Sequence, residues 1–244
     1  MVLHTREMQI ATLTFFQVDG SKDRFWALSQ MQFGHSKMKD IEGVEFYRML
    51  GSGRGKGFDW RPEWGRYALL VVWKNENYAS KFFTTNQFFR EYSRKATNQY
   101  TVYLKCFMVH GKWAGQEPFE VTEKYESGPV AVITRATIKT GFLWQFWRYV
   151  APVAKSLGDY TSRLLSVGIG EWPIVQQATF SIWKDLDAVK HYAYENQKHS
   201  DVVKKTRELG WYKEELFSRF IPYKSEGNWY GNDPLKDHFQ DPNK

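Results

Sequence analysis

Gly111-Lys112-Trp113-Ala114-Gly115-Gln116-Glu117-Pro118-Phe119 recurs near the end of the chain as Gly227-Asn228-Trp229-Tyr230-Gly231-Asn232-Asp233-Pro234-Leu235. Upstream of each lies a matching segment. Val72-Trp73-Lys74 returns as Ile182-Trp183-Lys184, and Asn86 returns as Asn196. Marks that recur in order over so much of a chain describe one unit present twice. The 244 residues therefore divide into an N-terminal lobe, 1–120, and a C-terminal lobe, 121–244. Each has the size that closes one core.

Each copy reads as strand, helix, strand, helix, strand. In the first, 10–18 alternates and is rich in Thr and Phe, and 67–73 and 100–109 are β-rich runs. Helices are expected over 22–32, with Ser21 as N-cap, and over 77–97 in one or two pieces. The short stretch 45–50 is ambiguous, and 51–58 reads as a glycine-rich loop. The second copy places strands over 130–138, 175–183 and 216–223, with helices over 141–153 and 187–209, the latter broken near Asn196. This order favours an α+β class: two ferredoxin-like lobes in tandem, their sheets packed face to face, a dimeric α+β barrel type within one chain.

Composition narrows the function classes. Eleven Trp, 14 Tyr and 18 Phe supply either an aromatic core or a slot for a flat or long apolar ligand. The net charge of +7 comes from Lys and Arg scattered among acids, which excludes a nucleic-acid patch and leaves weak attraction to anionic lipid. Cys106 is the single cysteine, so no disulfide forms within the chain and a reducing compartment is expected. Its strand-like surroundings make it a small buried hydrophobe. Residues 1–9 carry charge and lack a signal-type apolar segment, and the run 67–73 is too short to span a bilayer. The expected location is cytoplasmic, with peripheral membrane contact compatible.

The repeats differ at one chemically notable place: Phe89 in the first copy falls on His199 in the second. His199, Val202, Val203 and Thr206 share one helical face, opposite Asp201, Lys204, Lys205 and Glu208. The matching stripe Phe89, Tyr92, Ser93 and Ala96 reads as simple packing. An inward imidazole needs a carbonyl, a carboxylate or a metal as partner. A satisfied core histidine is one reading; the proximal ligand of haem iron is the other. Haem also needs a broad apolar slot and cations for its propionates, and Arg61, Arg66 and Arg135 are candidates. Zinc lacks the ligand spacing it requires. The loop 51–57 fails both phosphate-binding templates, which leaves its glycines for positive φ or close backbone approach. Arg135 shares a strand face with Ala131, Ile133 and Thr137, and either forms a sheet-edge salt bridge or points into a ligand cavity. Gln176 and Gln177 face opposite ways, so one turns inward. No Ser-His-Asp order or C-x-x-C supports hydrolytic or thiol chemistry.

Read as a set, these residues resemble the spheroidene monooxygenase family of carotenoid biosynthesis. The resemblance runs through Met49-Leu50-Gly51-Ser52-Gly53, Gly57-Phe58, Arg61-Pro62-Glu63-Trp64, Gly111-Lys112-Trp113, Glu117-Pro118-Phe119 and Thr134-Arg135-Ala136-Thr137. It continues through Gly168-Ile169-Gly170-Glu171, Gln176-Gln177, Thr179-Phe180-Ser181-Ile182-Trp183, His199, Trp211, Glu214-Glu215-Leu216 and Arg219-Phe220. It implies a monooxygenase holding haem b, which uses oxygen and a ferredoxin-type electron donor to add a hydroxyl and then a ketone near the end of an acyclic carotenoid. On this reading His199 ligates the iron, an assignment that rests on the repeat asymmetry and the helical face. Arg61, Val203 and Phe180 line the cofactor, and Arg135 anchors a propionate or bonds to bound oxygen. The assembly is a monomer or a homodimer. Three alternatives stay open: a haem enzyme of the same scaffold with another reaction, such as an aldoxime dehydratase; a non-catalytic haem or lipid binder; and a cofactor-free monooxygenase in which His199 is core.

Overall fold

A computed structural model describes residues 8–54, 61–156, 160–172, 175–195, 206 and 208–239. Thr- and Phe-rich alternation forms β1 (Ile10–Val18), and the apolar run forms β3 (Pro62–Trp73). Between them come α1 (Ser21–Phe33), the short α2 (His35–Met38) and β2 (Val44–Gly53). After β3 follow α3 (Glu76–Thr85), α4 (Gln87–Lys95) and β4 (Ala96–Gly111). Asn86 separates the two helices: its backbone is extended, and its side chain accepts the N–H of Phe89 to start α4. The second half supplies β5 (Val130–Ile138), α5 (Leu143–Ser156), β6 (Arg163–Trp172), β7 (Gln176–Trp183), α6 (Leu186–Lys190) and β8 (Tyr212–Gly227).

The eight strands close into one antiparallel barrel in the order β1-β3-β2-β6-β7-β5-β8-β4. The first half contributes β4-β1-β3-β2 and the second β8-β5-β7-β6, the same order. The halves meet at two seams. The long β4 and β8 pair from Tyr100↔Gly227 to Gly111↔Leu216, and β2 meets β6 at Gly51↔Gly170 and Ser52↔Ile169. The expected α+β barrel class is therefore present, but not as two separate sheets laid face to face. Both lobes would otherwise leave two edge strands unpaired, and edge-to-edge hydrogen bonding removes all four edges.

Sequence reading counted three strands per copy; β2 and β6 are additional, and the stretch Gly51 to Gly53 belongs to β2 rather than to a loop. Ser21 lies inside α1, which is capped by Gly20 at φ 79 without a side-chain hydrogen bond. The other strands stand where expected, with β3, β4 and β8 longer than the runs read for them, and most of the helix expected over 187–209 lies outside the described residues.

Alternation sorts the strands into two layers of packing. Leu13, Phe15, Leu70, Val102, Ile133 and Phe180 fill the barrel interior with others of their parity, and Cys106 belongs to this core. Burial pushes its thiol up to about 11, as befits an inert residue. On the outside, α1, α3 and α4 cover the first half, and Phe89 and Tyr92 pack there against Phe16. No helix among the described residues is long and apolar enough to cross a membrane.

The recurring glycine-tryptophan motif closes the barrel at both ends. Gly111 and Gly227 have φ of 89 and 83, and a Cβ on either would lie 2.1 or 2.2 Å from the carbonyl oxygen of Glu215 or Gln99. Only glycine fits both demands. The turns that follow match residue for residue, with Ala114 and Tyr230 at φ 52 and 51 and with bridges Trp113↔Gln116 and Trp229↔Asn232. Trp113 is fully buried against Phe46, and Trp229 lies edge-on to Phe15.

Candidate functional site

Strand register gives an equivalence between the halves, because Phe15↔Ala68 in the first corresponds to Arg135↔Ala178 in the second. Applied to the outward positions, it exposes a systematic difference. Phe16, Met49, Tyr67, Leu69 and Val71 form a buried apolar wall beneath the helices of the first half. Their counterparts are Ala136, Gly168, Gln177, Thr179 and Ser181. Thr179 and Ser181 are only half-buried, as are Thr134 and Ser166 beside them. The interior residues of the same strands stay large in both halves. At these positions the outer wall of β5, β6 and β7 thus carries smaller or more polar side chains, although Thr12 of the first half is Val132 in the second.

A second difference lies at the barrel mouths. Phe15 at one end is Arg135 at the other. Arg135 is 2% exposed and pairs with Glu214 and, at 3.8 Å, with Glu171. Glu171 also takes Arg48 Nε at 2.7 Å and the Trp113 indole N–H at 2.8 Å. Glu214 accepts the amides of Ala114 and Gly115 at 2.8 and 2.6 Å. Burial opposes charge on Glu214, but those two amides and the Arg135 guanidinium outweigh it and hold the carboxyl below the usual carboxylate range. The matching residue at the opposite mouth is the neutral Asn98, which accepts the amide of Tyr230, the counterpart of Ala114, at 3.5 Å.

The structure does not gather the residues nominated from sequence into one site. Phe180 is fully buried inside the barrel, 5.8 Å from Phe15. Arg135 also faces the interior. Both share the inward parity of their strands, whereas the small-residue wall has the other parity. Arg135 is not at a sheet edge either, since closure leaves none. Arg61 is exposed at the start of β3, and Arg66 donates to the Tyr230 hydroxyl at 3.1 Å. His199 and Val203 lie outside the described residues. Gln177 is the buried member of its pair and is directed outward from the barrel. The residues that sequence reasoning missed are Gly168, Thr179 and Ser181. The signal was available: extending the repeat comparison from Phe89 and His199 to the strands pairs Leu69 with Thr179 and Val71 with Ser181.

Beside this wall, a groove of about 570 Å³ runs over the β2–β6 seam. Leu28 and Met31 of α1 form one side, Gly51 and Gly170 lie at the strand pairing, and Trp64 and Trp172 stand at the hairpin end. Gln177 also lines it, two residues along β7 from Thr179.

No family model matches the chain. The spheroidene monooxygenase of Cereibacter sphaeroides is 34% identical over 230 residues, which covers 93% of this chain and 71% of that protein. The spheroidene monooxygenase of Rhodobacter capsulatus is 32% identical over 231 residues, covering 93% of this chain and 96% of that protein. Among solved structures, an aldoxime dehydratase matches 96% of this chain and 84% of its own with a TM-score of 0.59 at 10% identity. That likeness is one of fold.

Proposed function

The chain belongs to the spheroidene monooxygenase family, and on that premise we propose that it is a haem-dependent monooxygenase acting on an acyclic carotenoid or a similar long apolar substrate. One observation of the structure supports the reading most: the outer wall of the second half lacks the side chains that fill the first. Such a wall suits haem, which needs a flat slot against a sheet. The imidazole of His199, which sequence periodicity puts on one helical face with Val203, is the proposed iron ligand. When bound, haem supplies the redox centre at which oxygen is activated with electrons from an external donor.

The chain's own residues do the rest. Thr134 and Thr179 leave room and offer hydroxyls at the wall, where the Ser181 hydroxyl accepts the Trp183 indole N–H at 2.9 Å. The filled barrel interior excludes water from behind the slot. Arg135 acts here as a positioning residue, since it ties β6 and β8 together through Glu171 and Glu214. The net charge of +7 suits an acidic, ferredoxin-type electron donor and an anionic membrane surface on which a carotenoid resides.

The test is an absorption spectrum after haem loading. A Soret band is expected in the wild type and in His191→Ala, and is lost in His199→Ala. No band under any loading condition removes the haem reading. Expression in a carotenoid-producing host should yield a new oxygenated pigment. The fold likeness favours one other reaction, aldoxime dehydration; turnover of an aldoxime without reductant, and none of carotenoid, would select it.

A further inference from the structure

We propose that the groove over the β2–β6 seam is the subsite that holds the hydrocarbon chain of the substrate and delivers its end to the small-residue wall. This deepens the proposed function and rests on its apolar polyene substrate.

The form of the groove argues for a thin, unbranched occupant. At its floor two strands from different halves pair at Gly51↔Gly170, so bare backbone lies where side chains would otherwise stand. Met31, Met49, Trp64 and Trp172 offer polarisable surface that adapts to an extended π-system, beside the polar Gln32, His35 and Ser52. Trp64 and Trp172 at the hairpin end are 51% and 69% exposed, and Leu28 is 41% exposed. Large apolar side chains left open around a concavity mark a site whose filling would cover them.

Charge does not contradict the assignment. Glu171 lines the groove, yet its carboxylate is held by Arg48 and Trp113. Glu63 accepts the amide of Gly65 at 3.5 Å. Direction comes from β7. Gln177 lines the groove, and Thr179 and Ser181 are the next outward residues along the same strand. A chain lying in the groove therefore ends beside the wall where haem is proposed.

The test separates chain binding from turnover. Diphenylhexatriene, a neutral rod-shaped polyene that emits only in apolar surroundings, serves as probe. Wild-type protein should bind it saturably. Gly51 has room for a Cβ, which would meet Met31 Sδ at 3.6 Å and Gly170 O at 3.9 Å. Gly51→Leu therefore fills the floor, and affinity should fall by about tenfold or more, as expected when a buried hydrocarbon loses several contacts. Trp172→Asp, at an exposed position, should act likewise. Phe25→Asp should not, because Phe25 is 74% exposed on the same helix but does not line the groove. With a carotenoid, Gly51→Leu should raise KM and leave kcat unchanged. No saturable binding by the wild type, or wild-type binding by both Gly51→Leu and Trp172→Asp, overturns the proposal. Probe binding that depends on the groove in a protein that oxygenates no carotenoid would instead uphold the groove and remove the functional reading.

Discussion

The outer wall of the first half carries large apolar side chains at positions where that of the second carries small or polar ones, although both rest on the same closed barrel. Phe16, Tyr67, Leu69 and Val71 face helices where Ala136, Gln177, Thr179 and Ser181 stand in the second half. What closes the barrel has been kept in both halves: the glycine-tryptophan turns, the seams, and the large interior residues. What faces the helices has diverged. Interior volume is constrained from all sides by close packing, so a change there strains both halves. An outer wall touches only its own helices and can be hollowed without disturbing the barrel. The difference therefore points to the second wall as the place where the chain binds something. The mouths show the same logic at smaller scale, with an aromatic pair at Phe15 and a charged cluster at Arg135.

Breaking the charged mouth should have the largest effect. Arg135→Leu leaves Glu171 and Glu214 without their shared cation, and removing one partner of a buried pair costs about 3–5 kcal/mol. Urea unfolding should show this loss, while Phe15→Leu at the matching place should cost only about 1 kcal/mol. Equal losses would mean that the two mouths are energetically alike. The glycine turns should behave in the opposite way and erase the difference between halves. Gly111→Ala and Gly227→Ala each force a Cβ into a carbonyl oxygen at positive φ, and about 2–3 kcal/mol is expected for either. Unequal midpoints would show that the repeat is not structurally equivalent there.

Much of this fold could be read from sequence, and the exceptions share a cause. β1 and β5 stand where alternation put them, and β3 and β7 follow their apolar runs. The strands that escaped, β2 and β6, are the seam strands. Their glycines at 51, 53, 168 and 170 and their charged Arg48 and Glu171 disguise the alternation. Without them the lobes look like separate sheets in need of stacking, which is why the expected α+β barrel type took the form of two sheets face to face rather than one sheet closed by edge pairing. The candidate site was legible only in outline. The repeat asymmetry directs attention to the second half, and Arg135 and Phe180 were nominated by residue type and motif. Parity turns both inward. Only pairing register, which depends on partners distant in sequence, decides which face of a strand lies outside.

Exchanging wall residues sharpens the main comparison. In the first half, Leu69→Thr or Val71→Ser removes buried apolar volume and should cost about 2 kcal/mol each. In the second half, Thr179→Val or Thr179→Leu adds volume where the residue is only half-buried, so the cofactor-free protein should change by less than about 1 kcal/mol. The same second-half variants should fail to develop a Soret band. If they bind haem normally, the hollow wall is not its slot. If they destabilise as much as the first-half variants, the wall is not hollow.

The smallest effect concerns pH and again sets one mouth against the other. The folded-state pKa of Glu214 lies below its ordinary value of 4.5. A carboxylate of that kind contributes stability that is fully present above the unfolded pKa and is lost as pH falls through the folded one. The stability difference between wild type and Glu214→Gln should therefore be constant from neutral pH down to about 4.5 and shrink only below it. Arg135 is one of the groups that lower this pKa, and burial alone would raise it. In Arg135→Leu the loss should accordingly begin at higher pH, and replacing Glu214 in that background should flatten the profile. Asn98 holds the equivalent turn at the other mouth without a titrating group, so Asn98→Ala should lower stability by the same amount at every pH. A pH-dependent Asn98→Ala profile would place the acid sensitivity outside the Glu214 cluster, as at Asp233, which accepts the Tyr100 and Ser225 hydroxyls beside that turn, and the contrast between Glu214 and Asn98 would lose its energetic meaning.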